Sequence, residues 1–351
     1  MTTARRLLVS VDHPPFSAVL IISLDSKLQY QSHIASLEGQ KVFGLCNFGG
    51  LVAGISGYSD LAGRLNIFDP SSGNLKRSYF ARPPLDRRHR SHYLKEPLVR
   101  NLLKMRRQPI WGDIHGIGRL GDYFVIVNTV SDSLSIVRVD GQLSYSVDLF
   151  QFCIDAGVIG AEYGRHSMKS NYYHFNSIGF DRAESRFYVM GHNTKSPDRS
   201  FVVQGRIEYQ LPEPRLIPES IIDGLDTESG SSSGKQCHEL LEINENLFYC
   251  ESVNSSVSFL NKMGESTQFY KNRRIGYVRG LAHHAGVLFV GSSTYREAAV
   301  IFPDESLEFT ETQTAPAIFC IDMIDRKLVS IIDLHRLCGY RDLEIKNILA
   351  L

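Results

Sequence analysis

The feature that most constrains the fold of this chain is a hairpin plan that recurs along its middle half. Each copy has a short strand, a tight turn and a second strand rich in Val, Ile, Phe and Tyr. Three copies begin with a histidine, namely His115-Gly-Ile-Gly-Arg-Leu, His174-Phe-Asn-Ser-Ile-Gly-Phe and His238-Glu-Leu-Leu-Glu-Ile. A fourth copy, Arg279-Gly-Leu-Ala-His-His, has Arg279 or Gly280 in the position of the histidine. Repeats of roughly 45 to 70 residues with four strands each are typical of a β-propeller.

Signals for a third strand recur after these hairpins and also further upstream, and together they predict six blades. These signals end near Asp25, Asp69, Asp140, Arg206, Met263 and Asp322. Five or seven blades remain open from the sequence. We predict one all-β domain over residues 1–351, in which the N-terminal strands complete a blade begun by the C-terminal residues. Two segments interrupt the repeats as predicted insertions, a basic one at 81–110 and a loop rich in Pro, Gly and Ser at 211–236.

The charge balance excludes attraction to nucleic acid through the overall field of the protein. Lys plus Arg equal Asp plus Glu at 38 each, and hydrophobic residues make up 43% of the chain, enough for a sizeable core. No stretch reaches the ~20 apolar residues needed to cross a bilayer. The apolar run after Arg5 and Arg6 is broken at residues 12–15, unlike a secretory signal. We therefore expect a cytoplasmic protein with reduced, mostly buried cysteines, no membrane and no nucleic-acid partner, and of undetermined oligomeric state.

Polar residues of these repeats are expected to gather at one end of the propeller. The start of the first strand and the end of the second strand of a blade lie on the same face, so His115, His174 and His238 would line one mouth of the channel. The second strands end there with Asn128, His192, Glu251 and Ser292. Three neutral imidazoles with an open position are good ligands for Fe, Zn or Cu, and this favours a divalent metal site. A metal-free catalytic or ligand-binding group, or histidines that only cap strand ends, are the alternatives.

Arg279 adds a cation at the same level of the predicted channel. A guanidinium binds sulfate, phosphate or carboxylate in a bidentate manner, so Arg279 would hold an anionic group while a histidine acts as acid, base or nucleophile. A pairing of Arg279 with a buried carboxylate such as Glu251 is an equally good interpretation. Asp113 is placed to orient an imidazole. We interpret His283 and His284, which lie nearer the turn, as structural.

One stretch resembles a known family. The segment YHFNSIGFDRAESRFYVMGHN is similar to the repeat of bacterial arylsulfotransferases, which are six-bladed propellers in which a central histidine takes the sulfuryl group. The resemblance covers about the middle half of the chain and implies site roles for His174, His115, His238 and Arg279. The four-histidine iron propellers of the carotenoid oxygenases are a second analogy, although no fourth histidine stands in the corresponding position here.

The sequence as a whole predicts a six-bladed propeller enzyme for a small, anionic molecule. Its predicted catalytic residues are His115, His174, His192, His238, Glu251 and Arg279. The three histidines that begin the repeated hairpins, His115, His174 and His238, are also the predicted metal ligands. A metal-free group transferase and a non-catalytic interaction propeller are the competing hypotheses.

Overall fold

The computed structural model describes most of the chain, with gaps in its connecting segments. The described residues are 5–13, 16–58, 62–80, 114–129, 132–158, 173–192, 200–210, 213–223, 225, 237–272, 276–293, 316–340 and 343–351. They form six four-stranded antiparallel sheets, which confirms the predicted six-bladed β-propeller. The predicted insertion at 81–110 and the predicted orienting residue Asp113 lie outside the described residues.

The blades are numbered here in chain order, and each runs from its first to its last strand in the order of hydrogen bonding. Blade 1 has the order β24-β1-β2-β3, and the others follow the chain. Blade 1 consists of β24 (Glu344–Ala350), β1 (Arg5–His13), β2 (Phe16–Leu24) and β3 (Tyr30–Ser36). Blade 2 consists of β4 (Lys41–Phe48), β5 (Leu51–Tyr58), β6 (Ala62–Phe68) and β7 (Leu75–Phe80). Blade 3 consists of β8 (Ile114–Leu120), β9 (Tyr123–Asn128), β10 (Ser133–Arg138) and β11 (Leu143–Asp148).

Blades 4 to 6 keep the same order. Blade 4 consists of β12 (Ser177–Phe180), β13 (Arg186–Gly191), β14 (Phe201–Gln210) and β15 (Glu213–Ile222). Blade 5 consists of β16 (Cys237–Ile243), β17 (Asn246–Glu251), β18 (Ser256–Leu260) and β19 (Ser266–Lys271). Blade 6 consists of β20 (Tyr277–His284), β21 (Val287–Ser293), β22 (Ala317–Asp322) and β23 (Leu328–Asp333). Two short helices, α1 (Leu149–Asp155) and α2 (Leu334–Cys338), directly follow β11 and β23, and Asp148 and Asp333 cap their N-termini.

The residues divide into two compact units. Unit 1 comprises residues 1–52, 68–75 and 235–351, and unit 2 comprises residues 53–67 and 76–234. In unit 1 the apolar core lies between neighbouring blades, for example between blade 1 and blade 6, where Val9, Phe289 and Ile345 are completely buried. In unit 2 the corresponding layer lies between blade 3 and blade 4. Val, Ile and Phe suit such a position because their branched or flat side chains pack well on a pleated surface.

Tight turns set the register of the hairpins between first and second strands. In blades 2, 5 and 6 both residues of the two-residue loop have positive φ angles, as in type I′ turns. The loops are Gly49-Gly50, Asn244-Glu245 and Ala285-Gly286. This turn type matches the right-handed twist of the strands on either side, so a short Gly- or Asn-containing turn was a reliable signal in the sequence.

The N- and C-termini share one blade, as predicted. β24 pairs with β1 from Leu7 opposite Ala350 to Asp12 opposite Glu344, and it is the first strand of blade 1. Ile345 and Ile348 of β24 are buried in the core between blades 1 and 6. The C-terminal strand thus belongs to the core as well as to the sheet.

The prediction of a loop at 211–236 is wrong for residues 213–222. Residues 213–222 form β15, the last strand of blade 4, which pairs with β14. Pro214 and Pro218 tolerate this position because an edge strand leaves one row of N–H groups outside the ladder. Leu216 of β15 is buried in the core of unit 2, so alternating burial was present beneath the Pro-rich composition.

We expect Ile345→Ala to lower the free energy of unfolding by about 2 to 5 kcal/mol, because it leaves a cavity in a fully buried site. Ile324→Ala is the control, since the Ile324 side chain is 89% exposed and its truncation should change stability by less than about 0.5 kcal/mol. Urea-induced unfolding followed by circular dichroism measures both. Equal effects of the two substitutions would show that β24 is not packed in the core.

Candidate functional site

A β-bulge interrupts the first strand of four blades at a corresponding place. In β8 the extra residue is His115, between Ile114 and Gly116, and in β24 it is Lys346. In β16 the break lies between His238 and Leu241, and in β20 it lies between Val278 and Leu281. A bulge turns side chains out of the regular pleat and is common next to active sites. Of the repeated histidines, His115 is the extra residue of a bulge and His238 directly precedes one.

Counting back from the turns confirms that Arg279 holds the histidine position in blade 6. The last residues of the two strands are Ile243, which pairs with Asn246, and His284, which pairs with Val287. His238 and Arg279 each lie five residues before that last residue. The next residue has a positive φ in both strands, 58° at Glu239 and 83° at Gly280. A side chain at Gly280 would also meet Ile348 at 2.9 Å. Gly280 is therefore the residue whose backbone conformation the bulge requires, and Arg279 carries the side chain that corresponds to His238.

Unit 1 holds a group of charged and polar side chains on its first strands, which we call the inner-strand cluster. Its members are His238, Glu239, Arg279, Glu344 and Lys346. Arg279 Nη1 donates to Glu344 Oε1 at 2.5 Å, and Lys346 Nζ contacts the same oxygen. The side chains of Arg279 and Lys346 are only 10% and 5% exposed. Charges this deeply buried are stable only when they are paired, and the cluster provides that pairing.

The hydrogen bonds of His238 define its tautomer. Ser252 Oγ donates its only proton to the carbonyl of Val278 at 2.7 Å and lies 2.9 Å from His238 Nδ1. Nδ1 must therefore carry the proton and donate to Ser252. Arg279 Nη2, which can only donate, lies 3.1 Å from His238 Nε2, so Nε2 is the acceptor. His238 is thus a neutral imidazole whose basic nitrogen faces a guanidinium.

Glu239 lies next to His238 and has an unusual environment. Its Oε2 accepts a hydrogen bond from Asn347 Nδ2 at 2.9 Å. Burial raises the pKa of Glu239 to about 7, against the opposing effects of the Asn347 bond and the positive charge of Arg279. The carboxyl group therefore changes its charge near neutral pH.

Aromatic rings border the charged groups. The Phe43 ring lies 5.7 Å below Lys346 Nζ and 5.3 Å from Lys41 Nζ, and Lys41 pairs with Asp12 at 2.9 Å. The Tyr277 ring lies 6.0 Å from the Arg279 guanidinium carbon. These flat faces attract cations and keep the long side chains in defined positions.

Unit 2 brings together a different set of imidazoles. The ring centroids of His115 and His174 are 5.0 Å apart, and those of His174 and His192 are 4.3 Å apart. Asn176 Nδ2 donates to His192 Nδ1 at 3.1 Å, so the proton of His192 is on Nε2. Ser177 Oγ donates to Asn176 Oδ1 at 3.2 Å, which supports this orientation of the amide. His174 has a φ of 46° and lies three residues before β12, so the prediction that it begins the strand is wrong.

The structure places the predicted site residues in two groups. His115, His174 and His192 belong to unit 2, and His238 and Arg279 belong to unit 1. Glu251 is buried but accepts hydrogen bonds from Ser256 and Ser258 of β18, which holds the second and third strands of blade 5 together. The carboxylate partner of Arg279 is therefore Glu344 and not Glu251, because β24 lies beside β20 while Glu251 is turned towards β18.

The predicted metal site stays a prediction. Within the described ranges, no group of three or more His, Cys, Asp and Glu side chains has an arrangement that could hold a metal ion. The tautomer of His238 also does not fit a ligand, since Nδ1 carries a proton and Nε2 accepts from Arg279. A metal at His238 would require Arg279 to leave Nε2.

The sequence did not indicate two charged residues that the structure places in the inner-strand cluster. Lys346 and Glu344 belong to β24, which has no local hairpin partner, because β1 lies more than 330 residues earlier in the chain. The alternation of charged and apolar residues in Glu344-Ile-Lys-Asn-Ile was the only available signal. This alternation is equally typical of an ordinary surface strand.

Comparisons with known proteins support the fold and leave the activity open. No protein-family model matches this chain, and no curated protein matches its sequence. A chain in the crystal structure of a nidogen/laminin complex is similar, with a TM-score of 0.57, 11% identity and coverage of 99% of this chain and 98% of that one. A protein of unknown function from Bacteroides caccae has a TM-score of 0.56, 11% identity and 99% coverage of both chains.

A third similar structure carries an enzyme name. It is described as a "putative 6-phosphogluconolactonase" from Bacteroides fragilis, with a TM-score of 0.53, 11% identity and coverage of 93% of this chain and 80% of that one. At such low identity, all three likenesses show the propeller fold alone. No helix in the part of the chain that the structure describes is long and apolar enough to cross a membrane.

The two assigned tautomers can be measured. We expect His238 to be neutral with its proton on Nδ1 at pH 7, and His192 to be neutral with its proton on Nε2, because their hydrogen-bond partners differ. Two-dimensional NMR of ¹⁵N-labelled imidazoles distinguishes these forms, and the variants His238→Gln and His192→Gln assign the signals. The same tautomer at both positions would contradict the described hydrogen bonding.

Glu239→Gln should make stability less dependent on pH. Because the pKa of Glu239 is raised, its ionisation destabilises the folded state as pH rises from about 4.5 through about 7. We therefore expect the variant to be more stable than the wild type at pH 8, by roughly 1 to 3 kcal/mol, and equally stable near pH 4.5. Glu245→Gln is the control, since the side chain of Glu245 is 69% exposed. Urea unfolding at both pH values gives the differences, and a constant offset would be the contrary result.

Proposed function

We propose that this protein is an enzyme that binds the anionic group of a small molecule at Arg279 and uses His238 as an acid–base or nucleophilic group, without a metal at His238. The observation that carries the proposal is the contact between Arg279 Nη2 and the neutral Nε2 of His238. Nη1 of the same guanidinium already has a charged acceptor in Glu344, whereas Nη2 faces a neutral one, so Nη2 is the donor that an anion would attract most readily. The contact suits a resting state that a substrate changes.

An anionic substrate group would change this contact in a defined way. Hydrogen bonds between ionised partners are about twice as strong as bonds to neutral acceptors, so a carboxylate or phosphate would compete well for Nη2. Nε2 would then be released beside the bound substrate, with its lone pair available. The opposite nitrogen would stay fixed by Ser252, so the ring would keep its orientation.

The released nitrogen can perform two kinds of step. As a general base it takes a proton from the substrate, or from a water molecule that attacks it, and the imidazole becomes an imidazolium stabilised by Ser252. As a nucleophile it accepts a transferred group, which is the group-transferase hypothesis. The similar structure from Bacteroides fragilis adds weak support for an enzyme role, since that protein is described as a "putative 6-phosphogluconolactonase".

Two alternatives remain as proposals, a metal-dependent enzyme and a non-catalytic interaction propeller. A metal-dependent enzyme would use His115 and His174, whose ring separation of 5.0 Å is compatible with two ligands of one ion. A non-catalytic interaction propeller would bind its partner through outer loops, and substitutions at His238 and Arg279 would then leave its binding unchanged.

Binding of simple anionic sugars tests the proposal. We expect Arg279→Gln to weaken binding of glucuronate by about 10- to 100-fold, because a hydrogen bond to a charged group contributes about 1.5 to 3 kcal/mol. Arg279→Lys should retain part of the affinity. Arg326→Gln, which removes an exposed arginine, should bind like the wild type. Isothermal titration calorimetry measures the dissociation constants, and glucose is the neutral control ligand.

The same titration followed by imidazole NMR examines the role of His238. Glucuronate should shift the Nε2 signal of His238, because that nitrogen loses its guanidinium donor. The proposal is overturned if the wild-type protein binds neither glucuronate nor glucose 6-phosphate, or if Arg279→Gln binds them as tightly as the wild type. A mass increment on the peptide containing His238 after incubation with group donors would identify the nucleophilic mode.

A further inference from the structure

Glu344 occupies the place in the inner-strand cluster that an anionic ligand would take. A single oxygen, Oε1, contacts both Arg279 Nη1 and Lys346 Nζ. Glu344 and Lys346 are two residues apart on β24, and their contact shows that both side chains reach the same place although Lys346 is the extra residue of the bulge. The strand thus supplies one of the two cations and the carboxylate that partly neutralises both.

Solvent exposure separates the members that a ligand can meet from the one behind them. The side chains of Glu344 and Arg279 are 18% and 10% exposed, while that of Lys346 is 5% exposed. A ligand would therefore approach beside Glu344 and contact Arg279, and Lys346 would act on it through its charge. Any additional negative charge is placed next to the Glu344 carboxylate.

The charge count of the cluster limits what can bind there. Arg279 and Lys346 contribute two positive charges, Glu344 contributes one negative charge, and His238 is neutral by its hydrogen bonding. The neighbouring pair of Lys41 and Asp12 adds no net charge. Glu239, the member of the cluster that accepts from Asn347, lowers the total further when it is ionised. Counted over the residues that the structure describes, the net charge of the cluster is therefore at most +1.

We propose that Glu344 is a specificity-determining residue that makes the site select a ligand with a single negative charge, such as the carboxylate of a sugar acid, over a dianion such as a phosphate monoester. This inference rests on the proposed function, since it assumes that the ligand binds at Arg279. A monoanion matches the available positive charge. A dianion leaves at least one uncompensated negative charge in a partly buried site, and like charges close together in such a medium repel strongly.

A matched pair of sugars tests the selectivity directly. Glucuronate and glucose 6-phosphate share a glucopyranose ring, and they carry one and nearly two negative charges at pH 7.5. Isothermal titration calorimetry with the full chain should show that the wild type binds glucuronate more tightly. In Glu344→Gln the ratio of the two dissociation constants should shift by at least tenfold towards glucose 6-phosphate. Glu219→Gln, an exposed carboxylate change in unit 2, should leave the ratio as in the wild type.

A second variant keeps the inference testable if Glu344→Gln does not fold. Lys346→Met keeps an unbranched side chain and removes one cation, so it should shift the ratio in the opposite direction, further towards glucuronate. The inference is overturned if the wild type binds glucose 6-phosphate at least as tightly as glucuronate, or if folded Glu344→Gln or folded Lys346→Met leaves the ratio unchanged. Binding of neither sugar by the wild type would instead overturn the proposed function.

Discussion

The pairing of the last strand with the first is the constraint on which the described site depends. β24 adds to β1, buries Ile345 and Ile348 between blades 1 and 6, and lies beside β20. The same strand brings Glu344 and Lys346 to Arg279 and brings Asn347 to Glu239. Asn347 Oδ1 also accepts from the backbone N–H of Leu45 in blade 2. Closure of blade 1 and assembly of the inner-strand cluster are therefore one event.

The bulge in the first strands explains how a repeated fold carries an asymmetric site. A regular strand sends alternate side chains to opposite faces, whereas a bulge adds one residue and changes the direction of its side chain. The bulge includes His115 in β8, Arg279 in β20 and Lys346 in β24, whereas in β16 it directly follows His238, which pairs with Cys250. A common backbone irregularity thus carries an imidazole in one blade and a cation in others.

The predictable part of the fold was the part encoded locally. The hairpins of blades 5 and 6 could be aligned because a two-residue turn sets the register of both strands, and this alignment placed Arg279 or Gly280 in the histidine position. β15 was mistaken for a loop because it contains prolines. Proline argues against a central strand but is tolerated in an edge strand, and whether a strand lies at the edge is a property of the whole sheet. The sequence also does not show that His174 stands before its strand, since a φ of 46° has no clear local signal at a histidine.

The sequence by itself predicted the all-β class, six blades as the favoured number, and His238 and Arg279 as candidates, because these follow from short-range periodicity and turn chemistry. The shared first blade was predicted from the usual way in which a propeller closes its ring. Only the tertiary structure decided which side chains meet. Glu344 and Lys346 reach Arg279 from the far end of the chain, and Ser252 sets the proton of His238 through a bond to Val278. Such contacts join distant residues across neighbouring blades, and their distances depend on packing that no local pattern specifies.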